Sequence, residues 1–202
     1  MSNQKLIFQN NSIIKSGLDV KYIPYLFDSS FSKNMFETLL ENIEWKRDSC
    51  MMMGKKLLIK RKTAFYGDRN LDYTYSGFKR DAIPWNEDLL LIKNKVEEQT
   101  MTRFNSVLLN DYESGDVGMG WHSDNEKELG INPIIASVSF GASRDLLFKN
   151  KDSSSVDRIK VILENGSLLI MKGKTQHLWN HSIPKRLKVK KRRINLTFRT
   201  II

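Results

Sequence analysis

Cysteine is almost absent from the sequence, since Cys50 is the only one in 202 residues. A single cysteine cannot form a disulfide within the chain, which excludes a disulfide-stapled secreted scaffold. We interpret Cys50 as an inert thiol and expect an intracellular, reducing compartment. Residues 1–17 are rich in Asn, Gln and Ser and lack the apolar core of a signal peptide, so we expect them to be poorly ordered.

Long hydrophobic runs, internal repeats and Pro/Gly/Ser-rich linkers are also missing. No stretch approaches the roughly 18 apolar residues of a membrane span, so we expect a soluble protein of the cytoplasm or nucleus without a membrane partner. The length of 202 residues fits one domain. We therefore expect residues 18–202 to form a single domain and the protein to be a monomer.

Acidic residues are in short supply. The chain has 33 Lys and Arg against 23 Asp and Glu, which gives a net charge of +10 and a pI near 9.6. Such an excess favours a polyanionic partner without identifying it. The densest cluster is Lys185–Arg192, which we call the basic run. It could be a phosphate-gripping loop, with Lys188, Lys190 and Lys191 as the contacts, a solvated loop or a nuclear-import signal.

The apolar pattern predicts two helices in the front third, residues 18–103. Phe31–Trp45 repeats apolar residues at four-residue steps after the cap candidates Asp28, Ser29 and Ser30. A second helix is predicted after Trp85, with Asn86 as its cap.

From about Phe104 the period of the pattern changes to that of short strands. The sequence predicts strands at Asn105–Asn110, Ile134–Phe140, Arg144–Phe148, Ile159–Leu163, Ser167–Met171 and Arg192–Ile201. Glu164-Asn165-Gly166 indicates a hairpin, because Asn-Gly tolerates the positive φ of a tight turn. Residues 104–202 are thus expected to be all-β, as a barrel, sandwich or jelly roll.

All three histidines lie in the predicted β half: His122, His177 and His181. His122 and Asp124 are two residues apart and share a face if the chain is extended there. With one later histidine they could form a two-histidine, one-carboxylate face, which leaves open positions for the ligands of a non-haem iron oxygenase. A zinc hydrolase site and unrelated surface residues are the alternatives.

The last predicted strand alternates strictly between polar and apolar residues. Arg193, Asn195, Thr197 and Arg199 share one face. The two arginines are about 20 Å apart along the strand. If both side chains reach inward, they could hold the two ends of a small dicarboxylate by charge-assisted hydrogen bonds. A solvated polar face is the alternative.

Several motifs, taken together, resemble the signature of the AlkB family of Fe(II)- and 2-oxoglutarate-dependent dioxygenases, most closely its DNA-repair members. They are Asn110-Asp111-Tyr112 followed by Gly115, His122-Ser123-Asp124, Ile135-Ala136-Ser137-Val138-Ser139-Phe140-Gly141, His181-Ser182-Ile183-Pro184 and Arg193-Ile194-Asn195-Leu196-Thr197-Phe198-Arg199. The resemblance implies an α+β fold: a double-stranded β-helix (jelly-roll) core with N-terminal helices and a nucleotide-recognition lid. It also implies Fe(II) on His122, Asp124 and His181, and a structural role for His177.

The same resemblance implies the cosubstrates. Arg193 and Arg199 would hold the C5 and C1 carboxylates of 2-oxoglutarate, helped by Asn110, Tyr112, Asn195 and Thr197. The implied reaction uses O2 to oxidise an N-methyl group on a base, as in 1-methyladenine or 3-methylcytosine. It releases formaldehyde, with DNA as the expected nucleic-acid partner. The alternatives are an RNA or tRNA demethylase and an inactive basic nucleic-acid-binding module; a protein hydroxylase fits the basic charge less well.

For the substrate, the resemblance places a lid at Tyr66–Gly77, in which Tyr75 would stack on the flipped base with Tyr73 nearby. Asn125 and Glu126 would read the base edge, and Arg61 would contact the substrate at the lid. Core packing of the tyrosines and plain surface charge at Glu126 are the alternatives.

A duplex-wedging finger is implied at Met52, Met53, Gly54 and Lys55, where apolar side chains would fill the gap left by the flipped base. The aromatic residue expected in that finger is missing from this sequence. A buried hairpin is the alternative.

Overall fold

The computed structural model of the protein describes residues 12–52, 55–69, 71–75, 78–152 and 158–202, with backbone only at 48, 50–52, 55–57, 72–75 and 78–80. The helices are α1 (Ser29–Asn42), α2 (Glu87–Thr100) and the single turn α3 (Thr175–Leu178), and a 3-10 turn spans Lys127–Leu129. None of the helices in these ranges is long and apolar enough to cross a membrane.

The strands in chain order are β1 (Ser12–Lys15), β2 (Leu18–Ile23), β3 (Lys46–Met52), β4 (Lys55–Gly67), β5 (Asp72–Tyr75), β6 (Phe78–Asp81), β7 (Ile83–Pro84), β8 (Ser106–Tyr112), β9 (Met119–His122), β10 (Ile135–Gly141), β11 (Arg144–Asn150), β12 (Ile159–Leu163), β13 (Ser167–Lys172), β14 (Trp179–Ile183) and β15 (Arg193–Arg199).

Within the described ranges, two sheets make up the core. The major sheet has the order β1-β2-β13-β10-β15-β8-β4-β3, with β7 pairing β4. The minor sheet has the order β12-β11-β14-β9, and β5 pairs β6 in a separate ribbon. Two sheets of mainly antiparallel strands with crossovers between them confirm the predicted jelly-roll core.

The apolar residues divide between two layers. One cluster packs between the two sheets and includes Leu108 and Leu169 of the major sheet and Leu146 and Phe148 of the minor sheet. The second cluster packs α1 and α2 on the other face of the major sheet, with Leu39 and Ile92 among its buried side chains. The major sheet is therefore covered on both faces. Neither of these two clusters of described residues covers the outer face of the minor sheet.

Both predicted helices form, at positions set by their caps. The Asp28 carboxylate accepts from the Phe31 backbone N–H at 2.8 Å, and Asn86 does the same for Leu89 at 2.9 Å. Helix α1 ends at Asn42 rather than the predicted Trp45, because Ile43 adopts an extended conformation. Leu89, Ile92 and Val96 of α2 are buried on one face, as the spacing predicts.

The prediction of a helical front third is incomplete, since residues 12–84 also contribute seven strands. In β2 the alternation of buried Leu18, Val20 and Tyr22 gives the two-residue period of a strand, which the sequence analysis did not use. Residues 12–17 were expected to be poorly ordered. That expectation is wrong for Ser12–Lys15, which pair with β2; residues 1–11 lie outside the described range.

The predicted hairpin at residues 164–166 is also wrong. Gly166 does adopt a positive φ of 74°, and the Ser167 amide donates to the Glu164 carbonyl at 3.3 Å. The strands on either side, β12 and β13, nevertheless lie in different sheets. The tight turn therefore carries the chain from one jelly-roll sheet to the other, and each strand finds its partners elsewhere.

Candidate active site

A cavity opens between the two sheets. It holds about 490 Å³ of space free of protein atoms, including its open mouth. The polar face of β15 forms one wall, and Arg193, Asn195, Thr197 and Arg199 are all less than 9% exposed. This burial rules out a solvated polar face for the alternating strand. Asn110, Tyr112, His122, Asp124 and His181 also line the cavity.

A β-bulge in β9 aims His122 into this cavity. His122 pairs with His181 and Met119 pairs with Ile183, so β9 has one residue more than β14 between the two pairs. The extra residue allows Met119 and His122, three positions apart, to line the same cavity. The His122 and His181 rings end up with centroids 4.2 Å apart.

Hydrogen bonding and burial orient the two imidazoles. Nδ1 of His122 donates to the Gly120 carbonyl at 2.9 Å, which leaves Nε2 as the ring atom that could bind a metal. Burial, followed by the nearby His122, lowers the pKa of His181 to about 3, which keeps that ring neutral at physiological pH. The Nδ1 atom of His181 is buried without a hydrogen-bond partner among the described residues.

Asp124 completes the candidate donor set. Burial would raise the pKa of its carboxyl, but the charge of the Arg199 guanidinium outweighs burial and lowers it. Nη2 of Arg199 donates to Oδ1 of Asp124 at 2.8 Å, and both side chains are buried. In the described part of the chain, no three His, Cys, Asp or Glu side chains are arranged around one metal position. Two imidazoles and an ionised carboxylate that line one cavity nevertheless fit Fe(II) in donor chemistry.

Gln176 holds the loop that carries Asp124 in place. The Asp124 backbone N–H donates to Gln176 Oε1 at 2.9 Å, and the Gln176 side chain is fully buried. Lys151 Nζ bridges the same elements, donating to Ser123 Oγ and to the Gln176 carbonyl, each at 2.9 Å. No local sequence signal points to Gln176, because its partner lies 52 residues away.

Arg193 is a buried cation without a carboxylate partner in the described residues. Its side chain is 1% exposed, and Nη2 donates to Ser139 Oγ at 2.9 Å. Nε and Nη1 have no hydrogen-bond partner within the same residues, although the nearby Tyr112 side chain favours the charged form. Burial lowers the pKa of Arg193 to about 10, so it stays protonated at neutral pH. An unpaired buried charge costs several kcal/mol, and an anionic ligand would relieve that cost.

The polar side chains between the two arginines are held by serines of β10. Asn195 Nδ2 donates to Ser137 Oγ at 2.8 Å, and Thr197 donates to the Asn195 side-chain oxygen at 3.2 Å. Asn110 lies across the sheet from Asn195, and its Oδ1 has no partner among the described residues. No role was predicted for Ser137 and Ser139 from the sequence. Their two-residue spacing within an apolar strand is the signal that could have found them.

Tyr112 stands at the centre of three guanidinium groups. The Cζ atoms of Arg193, Arg144 and Arg61 lie 5.3, 5.8 and 6.0 Å from the centre of its ring. Arg144 differs from Arg193 because both of its terminal nitrogens donate to backbone carbonyls, although its Nε has no partner among the described residues. Its Nη2 donates to the carbonyls of Val117 at 2.9 Å and Pro184 at 2.8 Å. Arg144 therefore connects the loops that contain Val117 and Pro184, whereas Arg193 remains available to a ligand.

The predicted lid is placed only in part. Tyr73 and Tyr75 lie on the β5–β6 ribbon, but their side chains are outside the described residues, so base stacking and core packing both stay open. Tyr66, the first residue of the predicted lid, belongs to the core at 3% exposure. Arg61 is buried at 8% exposure, with Nη1 3.3 Å from the Met119 sulfur. It lies next to Tyr112 and Met119, which line the cavity, and its contact with the substrate at the lid stays a prediction.

The predicted finger falls on the connection between β3 and β4. Met52 pairs with Lys55 in the antiparallel register, so two residues join the strands. Those residues, Met53 and Gly54, lie outside the described residues, as do the side chains of Met52 and Lys55. The finger and the buried hairpin therefore both stay predictions.

The basic run forms the loop from β14 to β15 and is docked on Gly115. Gly115 exchanges backbone hydrogen bonds with Val189 and Arg186, at 2.8 and 2.6 Å. A Cβ at this position would lie 1.9 Å from the Arg186 carbonyl oxygen, so only glycine allows the approach. Lys188, Lys190 and Lys191 are exposed on this loop.

The remaining predicted residues lie near the metal end. Asn125 is exposed directly after Asp124, and Glu126 is half-buried before the 3-10 turn. Neither placement decides between base recognition and surface charge. His177 lies on α3, where its Nε2 accepts from the Asn132 backbone N–H at 3.3 Å. It is not among the residues that line the cavity.

Comparison with known proteins finds one family over almost the whole chain. Residues 19–199 match the 2OG-Fe(II) oxygenase superfamily. The human protein "DNA oxidative demethylase ALKBH2" is 40% identical over 195 residues, covering 92% of this chain and 74% of that protein. The bovine "Alpha-ketoglutarate-dependent dioxygenase alkB homolog 3" is 40% identical over 186 residues, covering 88% of this chain.

Coverage of the relatives is partial, and the structural likeness is distant. The chain spans 64% of the bovine and 60% of the human alkB homolog 3. A solved structure entitled "The structure of OsALKBH1" superposes with a TM-score of 0.62 at 17% identity, covering 93% of this chain and 98% of that one. At that identity the likeness establishes the fold alone.

Proposed function

The chain belongs to the AlkB branch of the 2OG-Fe(II) oxygenase superfamily, and from this premise we propose that it oxidatively demethylates N-methylated bases in DNA. The family name implies Fe(II), 2-oxoglutarate and O2 as cofactor and cosubstrates. Substrate bases of the 1-methyladenine and 3-methylcytosine type are part of the proposal. That the protein acts as a monomer stays a prediction.

The observation that carries the proposal is the unsatisfied cation at one end of the cavity. Arg193 is buried without a carboxylate within the described residues, while Asp124 and the two imidazoles gather at the other end. A dicarboxylate of the size of 2-oxoglutarate could pair one end with Arg193 and place the other near the proposed iron ligands. The ligand carboxylate would supply the anion that Arg193 lacks among the described residues, through a bidentate, charge-assisted contact.

We assign the residues as follows. His122, Asp124 and His181 would hold Fe(II) through two imidazoles and one carboxylate. Arg193 would bind the C5 carboxylate of 2-oxoglutarate. Arg199 would bind the C1 carboxylate while it orients Asp124. The polar groups that support this clamp are Asn110, Tyr112, Asn195 and Thr197.

When bound, Fe(II) and 2-oxoglutarate supply activated oxygen that hydroxylates a C–H bond. The protein's own contribution is to position the methyl group and to keep the charges in place. Gln176 and Lys151 hold the Asp124 loop, and Arg199 keeps Asp124 ionised. A hydroxylated N-methyl group then collapses to formaldehyde and the unmodified base.

The choice of nucleic acid as substrate rests on charge and on the relatives. The net charge of +10 suits a polyanion. The basic run follows β14 in the chain, and His181 and Ile183 of β14 line the cavity. The printed names of ALKBH2 proteins describe DNA oxidative demethylases. Tyr73, Tyr75, Asn125 and Glu126 are the proposed base-recognition residues, with Met52, Met53, Gly54 and Lys55 as the finger.

The assignment of the metal site is tested by comparing Asp124→Ala with His177→Ala. We expect Asp124→Ala to abolish both formaldehyde release and 2-oxoglutarate consumption, because it removes the only carboxylate of the donor set. His177→Ala should keep most of both activities, since His177 does not line the cavity. Full activity of Asp124→Ala, or equal loss in both variants, would contradict the assignment.

A further inference from the structure

Trp121 is an aromatic side chain exposed beside the cavity, and the proposed reaction leaves it without a role. The bulge that turns His122 inward places Trp121 on the outer face of the minor sheet, where it is 40% exposed. The Arg158 guanidinium lies 5.5 Å from the centre of its ring. A shallow cleft on this face is lined by Trp121 and Arg158 together with Leu147, Ser182, Pro184 and Lys185.

Among the described residues, the exposed charged side chains of this outer face are mainly cationic. Lys149 and Lys160 are exposed on β11 and β12, and Lys185 is exposed at the end of the cleft. The acidic side chain that points outward from β11, Asp145, is paired with Arg186 at 2.7 Å. A cationic surface around an exposed aromatic ring is the combination that binds unpaired nucleic acid: cations meet the backbone, and the ring stacks on a base.

Position along the chain links this face to the proposed active site. Trp121 directly precedes His122, and β9 is the edge strand of the minor sheet, bonded to β14 alone among the strands of the described residues. A Cβ added at Gly120 would meet no atom within 4 Å, so the space next to Trp121 is open. A strand whose base enters the cavity can therefore cross the free edge of β9 and reach the outer face.

We propose that Trp121 and Arg158 form a stacking platform for an unpaired base that flanks the base in the active site. The proposal rests on the proposed function, because it takes single-stranded nucleic acid as the occupant. Bases stack on aromatic rings and on guanidinium planes alike, so Trp121 and Arg158, whose groups lie 5.5 Å apart, each offer a stacking surface. The platform favours substrates whose flanking nucleotides are unpaired, because bases within a duplex are already stacked.

The test is equilibrium binding, which does not require turnover. A fluorescently labelled, unmodified oligonucleotide is titrated with metal-free protein and followed by anisotropy, as a single strand and as a duplex. We expect Trp121→Ala to weaken single-strand binding about 5- to 100-fold, the range found when an aromatic stacking partner is removed. Trp121→Phe should keep a part of that affinity. Duplex binding should change less than about twofold.

Ile162→Ala is the matched control, since Ile162 is 48% exposed on the same outer face but does not line the cleft. It should bind both oligonucleotides like the wild type. Arg158→Ala provides a second variant, distant in sequence from the proposed iron ligands, if Trp121→Ala does not fold. Unchanged single-strand binding by the two platform variants would overturn the proposal. Equal losses on single strand and duplex would also overturn it, in favour of a backbone contact.

Failure of the proposed function gives a different result. If the wild type demethylates no methylated oligonucleotide and yet binds single strands in a Trp121-dependent manner, the platform stands and the enzymatic proposal fails. If the wild type demethylates and Trp121→Ala binds normally, the platform alone fails.

Discussion

Replacing Arg193 by methionine should stabilise the protein in the absence of metal and 2-oxoglutarate. Methionine keeps much of the side-chain volume and removes a charge that is 1% exposed. Burial lowers the pKa of Arg193 to about 10, which corresponds to a penalty of about 3 kcal/mol. The lost hydrogen bond to Ser139 offsets about 1 kcal/mol of this. We therefore expect a net gain of about 2 kcal/mol in the free energy of unfolding.

The same substitution should abolish stabilisation by the cosubstrate. A ligand at 100 times its Kd stabilises a protein by about 2.7 kcal/mol, and the wild type should gain on this order from saturating 2-oxoglutarate. Arg193→Met should show no such gain. Denaturant unfolding with and without 2-oxoglutarate, followed by circular dichroism, measures both effects on the same samples.

Arg144→Met is the control for this experiment. Arg144 is equally buried, but its guanidinium donates to the carbonyls of Val117 and Pro184. Its removal leaves buried acceptors unpaired, so we expect a loss of about 2 kcal/mol or more rather than a gain. Arg193→Met would refute the reasoning if it destabilised the ligand-free protein like Arg144→Met. Retained stabilisation by 2-oxoglutarate would refute it as well.

Three further outcomes are expected. Neutralising Lys188, Lys190 and Lys191 of the basic run should weaken binding to all DNA sequences and reduce the salt dependence by about one unit of slope per lost phosphate contact. An unchanged slope would leave the solvated-loop or import-signal interpretation. Replacing both Met52 and Met53 by serine should selectively reduce demethylation of duplex DNA, whereas a proportional loss on single strands would indicate a buried hairpin. Burial would raise the pKa of Glu97, but the Phe104 amide, Arg103 and Lys93 outweigh burial and lower it. The ionised Glu97 side chain therefore stabilises the fold at pH values above its ordinary pKa of 4.5. The difference in unfolding free energy between wild type and Glu97→Gln should thus be full at pH 7 and shrink as the pH falls below about 4.5, and a constant difference would contradict this assignment.

The polar wall of the site could be predicted because β15 carries a strict local pattern. Four polar residues at two-residue spacing define one face of a strand, whatever sheet the strand joins. The caps of α1 and α2 could be predicted for the same reason, because Asp28 and Asn86 accept hydrogen bonds from backbone amides only three residues later. In each case the residues that determine the structure are neighbours in sequence.

The features that sequence reasoning missed depend on distant partners. The bulge in β9 shifts its alternation by one residue, so Met119 and His122 do not look like members of one face. Gln176 acquires its role only when α3 packs under Asp124. The pairing of β12 and β13 was mistaken because a jelly roll separates sequence neighbours into two sheets.

The most direct test of the proposed function is mass spectrometry of DNA oligonucleotides that contain 1-methyladenine or 3-methylcytosine. With Fe(II), 2-oxoglutarate and O2, the wild-type protein should convert the methylated base to the unmodified base, with formaldehyde and succinate formed in equal amounts. Omission of either Fe(II) or 2-oxoglutarate should stop the conversion. The proposal would be contradicted if the methylated bases persisted while 2-oxoglutarate was consumed, or if the methyl groups were lost without it.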